Sequence, residues 1–322
     1  MASPEISGIA ARSHATWAGH VAIMRFDHWF KNVFVLPGVV VALTMTNEWP
    51  PAIVGRLVLG LLSIGLIASS NYVLNEVLDG ATDRHHRLKY TRPVPQGLVS
   101  IPLAYAQWIA LMVCGLGLGW AVSPGFAATV LTLWIMGCVY NIPPLRTKDR
   151  PFVDVLSEAI NNPLRLLSGW AIVGPNAIAP GSLLLSYWMI GGYFMALKRY
   201  AELRTIGPAS AAKYRPSFAI YDENRLLTST MFYAAAAMLF FGVFVMRYRL
   251  ELILSFPAVA LAMAIYMQIS LLPDSPAQHP EGLYREGRLV AATVLCAAIM
   301  IACLLIDMPW LDRLVTPTAP IR

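Results

Sequence analysis

Residues 75–83 have the sequence NEVLDGATD, and they come at the end of a long apolar segment. On a helix, Asn75, Asp79 and Asp83 stand at four-residue steps, so their side chains share one face. Carboxylates stacked in this way repel each other unless a hard divalent cation lies between them. Mg²⁺ suits such a face because it takes oxygen ligands and completes its shell with water and substrate phosphates. The stretch therefore predicts a membrane helix that ends in a Mg²⁺ site with these three residues as ligands.

The loop that follows this helix is basic. It contains the side chains of Arg84, His85, His86, Arg87, Lys89 and Arg92. A metal-binding acidic face beside a basic loop, at the mouth of a membrane helix, indicates a diphosphate site. We expect Arg87, Lys89 and Arg92 to bind substrate there.

The composition indicates an all-α polytopic membrane protein. The chain is 57% hydrophobic and 13% charged, whereas soluble domains carry about 25% charged residues. We predict a single bundle of about nine transmembrane helices in residues 22–308, between an N-terminal segment (1–21) and a C-terminal tail (309–322). The expected spans are 22–46, 52–75, 101–121, 124–141, 153–172, 181–203, 222–246, 250–272 and 288–308.

The basic residues predict the orientation of the bundle. Alternate loops fall on opposite sides of the membrane, and one side holds eighteen of the 24 Lys and Arg residues. By the positive-inside rule that side is cytoplasmic. We therefore expect a multi-pass protein of the cytoplasmic membrane, with the N-terminus and the site inside and the C-terminus outside. The net charge of +6 is spread over short loops between spans, so it does not indicate a nucleic-acid partner; membrane lipids are the expected surroundings.

A second polar cluster begins at Tyr140 and runs through Arg146 and Lys148 into the span at 153–172. On that span Asp154, Glu158, Asn161, Asn162 and Arg165 fall on one predicted helical stripe. Charged groups at membrane depth are expensive and are usually functional. We expect Asp154 to be a further metal ligand, with Asp149 as the other candidate. The alternative for Arg165 is an internal ion pair with Glu158 or Asp154.

Two more segments place polar groups on the same predicted side. Lys31 and Asn32 lie inside the mouth of the first span, and Lys198, Arg199 and Glu202 close the sixth. An ordinary positive-inside anchor and a surface Lys198–Glu202 salt bridge are the alternatives for these segments. We predict instead that they contact phosphate or ribose groups.

Acidic helices facing basic loops are suited to breaking a diphosphate bond. A metal neutralises and orients the leaving group, and Lys and Arg hold the remaining phosphate oxygens. Side chains of the protein then take little part in covalent chemistry, and the sequence shows no Ser/His/Asp triad or cysteine nucleophile. We expect Asp79, Asp83 and Asp154 to be the catalytic residues.

The chain resembles the UbiA superfamily of intramembrane prenyltransferases. Asn75, Asp79 and Asp83 match its first motif, and residues 92–97, RPVPQG, are similar to the loop that follows that motif. The resemblance extends over about residues 22–305 and implies a UbiA-like bundle. Residues 29–36, 75–92 and 198–203 most resemble the branch that makes polyprenyl-phosphate phosphoribose.

This resemblance implies phosphoribosyl pyrophosphate as donor and a polyprenyl phosphate as acceptor, in the synthesis of a cell-envelope precursor. It implies that Asn75, Asp79 and Asp83 bind the Mg²⁺-pyrophosphate group. The residues implied to contact phosphates or to line the pocket are Lys31, Lys89, Arg92, Lys198, Tyr140 and Arg165.

Two other functions remain open at this point. The loop YNIPPLRTKD, residues 140–149, is similar to the second-motif loop of aromatic and tetrapyrrole prenyltransferases, which favours transfer from a prenyl diphosphate to a small acceptor. An ion-coupled transporter usually shows repeats with broken midplane helices, whereas here the acids gather beside basic loops. The sequence leaves prenyl chain length and homo-oligomer formation open.

Overall fold

The protein is described here from a computed structural model. The structure describes residues 14–47, 49–84, 89–174, 177–207, 210–212, 215–278 and 280–315. Over these ranges the secondary structure is helical and contains no strand. The α-helices are α1 (Trp17–Ala22), α2 (Leu36–Thr46), α3 (Ile53–Asp83), α4 (Ile101–Val122), α5 (Pro124–Asn141), α6 (Val153–Ala159), α7 (Asn161–Val173), α8 (Gly181–Ile206), α9 (Glu223–Tyr248), α10 (Phe256–Ser270), α11 (Gly287–Leu305) and α12 (Pro309–Val315).

Short 3₁₀ helices join several of these elements. The longest, Phe26–Val35, continues directly into α2 and forms the first part of the first membrane segment. A second, Leu250–Ser255, continues into α10 in the same way. The N-terminal and C-terminal helices, α1 and α12, lie in the segments that the sequence assigned to the ends of the bundle, and those segment boundaries stay predictions.

The all-helical membrane fold is confirmed, but nine spans are not. By length and composition, seven helices in the described ranges can cross a membrane: Trp17–Thr46, Ile53–Asp83, Ile101–Val122, Pro124–Asn141, Glu223–Tyr248, Leu250–Ser270 and Gly287–Leu305. The predicted fifth span is divided between α6 and α7, which have 7 and 13 residues. The predicted sixth corresponds to α8, whose last third contains Lys198, Arg199, Glu202 and Arg204.

Small residues allow the helices to approach closely. The buried hydroxyl of Ser63 on α3 donates to the Gly115 carbonyl on α4 over 2.7 Å. A Cβ added to Gly38 on α2 would lie 1.9 Å from the carbonyl oxygen of Leu166 on α7. Such contacts between small residues and backbone are the usual means of helix association in membranes.

The predicted fifth span is interrupted between Asp154 and Arg165. α6 ends at Ala159 and α7 begins at Asn161, so these two residues lie on different helices. Pro163 explains the break, because it has no N–H to bond the carbonyl four residues back and its ring clashes there. The backbone stays in helical conformation at Ile160, whose carbonyl accepts from the Leu164 amide.

Candidate active site

The end of α3 carries the three predicted metal ligands on one face. The Asn75 amide donates to Asp79 over 3.1 Å and to the Asn141 side-chain oxygen over 2.7 Å. Asn141 is the last residue of α5 and is buried. The α5 terminus therefore lies directly against the acidic face of α3.

Asp79 is held between two cations from the loop after α5. Lys148 Nζ lies 2.5 Å from Asp79 Oδ1, and Arg146 lies 3.0 Å from the same oxygen. Lys148 also donates to Asn141 over 2.9 Å, while Arg146 pairs with Asp149 over 2.8 Å. Burial lowers the pKa of Lys148 to about 8, although the Asp79 carboxylate opposes this shift. The loop is thus folded back onto the acidic face.

Asp83 is paired with the predicted phosphate ligand Arg92. The two side chains are 2.5 Å apart, and that of Asp83 is 3% exposed. Lys89 lies in the same loop, within the electrostatic influence of Asp83 and of Glu202 on α8, and its burial lowers its pKa to about 8. The loop after α3 therefore lies between the acidic face and the end of α8.

Asp154 lies in a separate, fully buried network. Its carboxylate accepts from Arg199 Nε at 3.0 Å and from the Tyr221 hydroxyl, and Arg215 lies 3.7 Å away. Burial and the nearby Asp154 raise the pKa of Tyr221, which keeps its hydroxyl a donor. Arg199 and Arg215 also donate to the Tyr140 hydroxyl.

This network bears on the two ion pairs that the sequence offered as alternatives. Glu202 accepts from Arg199 over 2.7 Å, so its ion pair among the described residues is with Arg199 rather than with Lys198. Among the described residues no ion pair joins Arg165 to Glu158 or to Asp154. Because both carboxylate oxygens of Asp154 already accept from neighbouring side chains, we do not extend the metal proposal to it.

Lys31, Asn32 and Arg165 lie beside the first membrane segment. Asn32 is buried and donates to the Leu61 carbonyl over 3.4 Å, and Lys31 Nζ lies 3.4 Å from His28 Nδ1. Arg165 is 8% exposed, and its Nε has no hydrogen-bond partner in the part of the chain that the structure describes. Glu158 and Lys198 are half-buried, and Arg87, with His85 and His86, lies outside the described residues.

The sequence did not identify four residues that organise this region. Asn141 joins Asn75 to Lys148, and Tyr221 and Arg215 complete the Asp154 network. Glu76 is buried, pairs with Arg25 over 3.2 Å and accepts from the Val94 amide. Asn141 and Glu76 adjoin predicted residues and offered a signal, but Tyr221 and Arg215 lie in a loop without a motif.

The acidic face suits Mg²⁺ better than a metal that needs an all-protein cage. Asp79, Asp83 and Asn75 offer carboxylate and amide oxygens, which Mg²⁺ prefers. In the described ranges no group of three or more His, Cys, Asp or Glu side chains is placed to hold a metal. A site with two carboxylates fits an ion that takes its remaining ligands from water and substrate phosphates.

Comparison with known proteins identifies the family of this chain. The model of the UbiA prenyltransferase family matches residues 33–292. The chain belongs to the UbiA prenyltransferase family. It is therefore a membrane-embedded transferase, as the sequence predicted.

Relatives within this family have different named activities. A decaprenyl-phosphate phosphoribosyltransferase of Mycobacterium tuberculosis is 28% identical over 232 residues, which cover 70% of this chain and 73% of the relative. A 4-hydroxybenzoate octaprenyltransferase of Serratia proteamaculans is 25% identical over 179 residues, which cover 55% of this chain and 58% of the relative.

A solved structure shows the same fold. A UbiA homologue from Archaeoglobus fulgidus, bound to GPP and Mg²⁺, has a TM-score of 0.67 at 22% identity. The match covers 89% of this chain and 100% of that one. The UbiA-like fold predicted from the sequence is confirmed.

Proposed function

We propose that this enzyme transfers 5-phosphoribose from phosphoribosyl pyrophosphate to a polyprenyl phosphate, in a Mg²⁺-dependent reaction that releases pyrophosphate. The number of cations at the site carries this proposal. Arg92, Arg146 and Lys148 already face the two acids of α3, which is enough for a metal-bound diphosphate. Lys31, Lys89, Lys198 and Arg165 are additional cations of the same region, and charged groups at membrane depth are usually functional.

The proposed substrates supply several anionic groups for these cations. Phosphoribosyl pyrophosphate carries a 5-phosphate besides its diphosphate, and the lipid acceptor carries a phosphate of its own. A prenyl diphosphate with a small aromatic acceptor brings fewer anionic groups. The surplus of cations therefore favours two phosphorylated substrates.

In this proposal Asn75, Asp79 and Asp83 hold Mg²⁺ with the donor diphosphate. Bound there, the ion would neutralise charge on the departing pyrophosphate. Lys148 and Arg146 lie against Asp79, so their N–H groups are positioned to exchange carboxylate for phosphate oxygens as the donor binds. Arg92 would do the same beside Asp83, and Lys89 would act on the outermost oxygens.

The reaction requires orientation of the substrates and stabilisation of charge, and it does not require a general base. As pyrophosphate leaves, positive charge develops at C1 of the ribose, and a phosphate oxygen of the lipid forms the new bond. That oxygen is already anionic at neutral pH, so no side chain has to remove a proton from the acceptor. The buried Asp154–Arg199–Tyr221 network would hold α6 and α8 against each other beside the candidate active site.

We further propose that the site opens to the cytoplasm, where phosphoribosyl pyrophosphate is soluble. The strong bias of Lys and Arg toward the loops on the site's side supports this orientation of a protein in the cytoplasmic membrane. The product would then be a lipid-linked phosphoribose on the inner face, available for envelope synthesis.

Prenyl transfer from a prenyl diphosphate to a small acceptor is the second candidate. It is favoured by the loop 140–149, which is similar to that of aromatic prenyltransferases and which here lies against Asp79. Both candidates use the same acidic face. They differ in whether ribose or prenyl carbon is transferred.

Label transfer tests the proposal. Purified enzyme receives either ribose-labelled phosphoribosyl pyrophosphate with polyprenyl phosphate, or labelled prenyl diphosphate with aromatic acids, each with Mg²⁺. We expect ribose label in the lipid product, and no transfer of the prenyl label. Prenyl label on an aromatic acid, with no ribose label in lipid, would establish the second candidate instead.

A further inference from the structure

Arg165 is a buried cation without a full set of partners. Its side chain lies on α7 with 8% of the residue exposed, and Nε makes no hydrogen bond within the described ranges. Buried polar atoms are nearly always hydrogen-bonded, and a buried charge without a partner is strongly unfavourable. A guanidinium held in this way is a candidate anion ligand.

The packing of α7 shows where this guanidinium lies. Arg165 and Gly169 are one turn apart on the same helix face. A Cβ on Gly169 would lie 2.1 Å from the carbonyl oxygen of Val35, so this face meets the end of the 3₁₀ helix Phe26–Val35. Arg165 lies one turn earlier on α7, on the side of that helix that packs against the first membrane segment.

The contacts of neighbouring residues support this placement. The charges of Arg165 and Glu158 both act on Tyr72 of α3. The Tyr72 ring packs edge-on against His28 with 5.2 Å between centroids, and His28 is the neighbour of Lys31. The charges of Glu202, Lys31 and Glu158 act in turn on Lys198. Arg165, Lys31 and Lys198 thus belong to one region of the bundle.

This region is distinct from the one that faces the metal ligands. The cations around Asp79 and Asp83 are Lys148, Arg146 and Arg92, which come from the loops after α3 and α5. Arg165 and Lys31 come from α7 and the 3₁₀ helix. The cations therefore form two groups, one beside the acids and one beside the first membrane segment.

An apolar groove adjoins the second region. It has a volume of about 340 Å³ and lies between the 3₁₀ helix and α3, lined by Trp29, Phe30, Asn32, Val33, Leu36, Leu61 and Leu62. Lys31 Nζ lies 6.0 Å from the centre of the Phe30 ring, at the edge of this groove. A molecule with one anionic end and a long apolar chain matches this combination of cations and groove.

We propose that Arg165 and Lys31, with Lys198, bind the phosphate of the acceptor lipid, and that the groove takes the first isoprene units of its chain. The lipid identity rests on the proposed function; the separation of the two anion sites rests on the different elements that carry their cations. In this arrangement the acceptor phosphate would meet the donor from the side of the first membrane segment, with its chain leaving toward the bilayer between the 3₁₀ helix and α3.

Binding to single-site variants in detergent tests the phosphate site without turnover. Titrated with geranylgeranyl phosphate in the absence of Mg²⁺, Arg165→Leu should bind roughly tenfold more weakly than the wild type or worse, because a charge-assisted contact is lost. Arg165→Lys should recover part of the affinity. Arg247→Leu, an exposed arginine at the far end of α9, is the matched control and should bind as the wild type does.

The donor is titrated on the same proteins to separate the two sites. Mg²⁺-phosphoribosyl pyrophosphate should bind Arg165→Leu within about twofold of wild type. Equal loss of affinity for the donor and for the lipid phosphate would place Arg165 in the donor site and overturn the inference. Unchanged affinity for the lipid phosphate would overturn it too.

If wild-type protein binds no phosphoribosyl pyrophosphate, the proposed function fails, and the geranylgeranyl phosphate titrations still decide the role of Arg165. If Arg165→Leu does not fold, the Arg165→Lys titration decides: wild-type affinity in a variant that lacks the guanidinium fork excludes a specific Arg165 contact.

The groove is tested by filling it. Val33→Trp should weaken binding of geranylgeranyl phosphate roughly fivefold or more, since it displaces buried apolar chain. Binding of inorganic phosphate should stay unchanged. Ile135→Trp, in a second apolar groove lined by Trp108, Trp134 and Cys138, is the control. Equal effects of the two tryptophans would exclude the groove as the chain site.

Discussion

Asp79 and Asp83 differ from ordinary buried carboxylates because each is matched by cations that come from loops. Asp79 faces Lys148 and Arg146, and Asp83 faces Arg92. In the proposed mechanism these contacts are exchangeable: the acids turn to the metal and the cations turn to the diphosphate. The spacing of the acids was readable from the sequence, whereas the identity of their cations was not, since Lys148 is 69 residues from Asp79.

Replacing Asp79 by Asn separates catalysis from folding. Turnover should fall by about a hundred- to a thousandfold, because the amide lacks the charge that holds the metal-bound leaving group. The free energy of unfolding should fall by only about 1–2 kcal/mol, since Lys148 keeps its hydrogen bond to Asn141. Label transfer and thermal unfolding are measured together, with the exposed Asp312→Asn as control. Wild-type turnover in Asp79→Asn would remove Asp79 from the site.

Lys89 makes donor binding sensitive to alkaline pH. Its pKa is lowered to about 8 by burial, so its positive charge is lost as the pH rises through that value. The kcat/KM for the donor should therefore fall above about pH 8. The pKa of Lys148 is also about 8, so two protons contribute to the fall.

Lys89→Arg tests this assignment, because arginine stays protonated throughout. The fall of kcat/KM with pH should become shallower in Lys89→Arg and approach the slope of a single proton. Initial rates at limiting donor concentration between pH 7 and pH 10 give the two profiles. Superimposable profiles would show that the charge of Lys89 does not act on the donor.

At the scale of the elements, the short helix α6 is fixed in place by a buried ion pair and a buried hydrogen bond. Asp154 is fully buried and joins α6 to Arg199 on α8 and to Tyr221 in the following loop. Hydropathy predicted the span at 153–172 but not its division near Ile160, which follows from Pro163. The pairing of Asp154 with Arg199 could not be predicted, because local periodicity carries no information about which distant helix packs alongside.

Asp154→Asn distinguishes this structural role from the metal-ligand role that the sequence suggested. The free energy of unfolding should fall by about 3–5 kcal/mol, because Arg199 and Arg215 lose a buried counter-charge. Binding of the Mg²⁺-bound donor at low temperature should persist. Tyr221→Phe should destabilise in the same direction by about 1–3 kcal/mol, since it leaves a carboxylate oxygen and the Phe152 amide without their partner. Loss of donor binding in a stably folded Asp154→Asn would restore Asp154 as a metal ligand.

The crossing of α2 and α7 depends on Gly38. A methyl group there would lie 1.9 Å from the Leu166 carbonyl, so Gly38→Ala should push the helices apart and lower the thermal unfolding temperature. Gly242→Ala on α9 is the matched control, since a Cβ there meets nothing within 4 Å. That control should be neutral or stabilising, by up to about 1 kcal/mol. Equal melting temperatures for the two variants would show that the crossing is not tightly packed.

Across the whole molecule, the polar chemistry gathers where the ends of α3, α5 and α8 meet the loops between them. Seven of the nine predicted spans have the length and composition of membrane helices, since hydropathy depends on local sequence alone. The fold family was also readable, because the Asn75–Asp83 motif is local. The arrangement of the cations was not, because it requires loops such as 142–150 to fold back over the acidic face.

We propose that the two substrates bind at different groups of cations. The donor diphosphate would lie at the end of α3, and the acceptor phosphate beside Arg165 and Lys31. This division matches the two groups of cations, one paired with Asp79 and Asp83 and one beside the first membrane segment. It also gives the lipid a path to the bilayer that does not cross the donor site.

Calorimetric titration of purified wild-type protein with phosphoribosyl pyrophosphate is the most direct test of the central claim, that Asn75, Asp79 and Asp83 hold the donor diphosphate through Mg²⁺. We predict saturable binding with Mg²⁺, its loss with EDTA, and affinity weakened roughly tenfold or more in Asp83→Asn. Equal affinity with Mg²⁺ and with EDTA, or wild-type affinity in Asp83→Asn, would contradict the account.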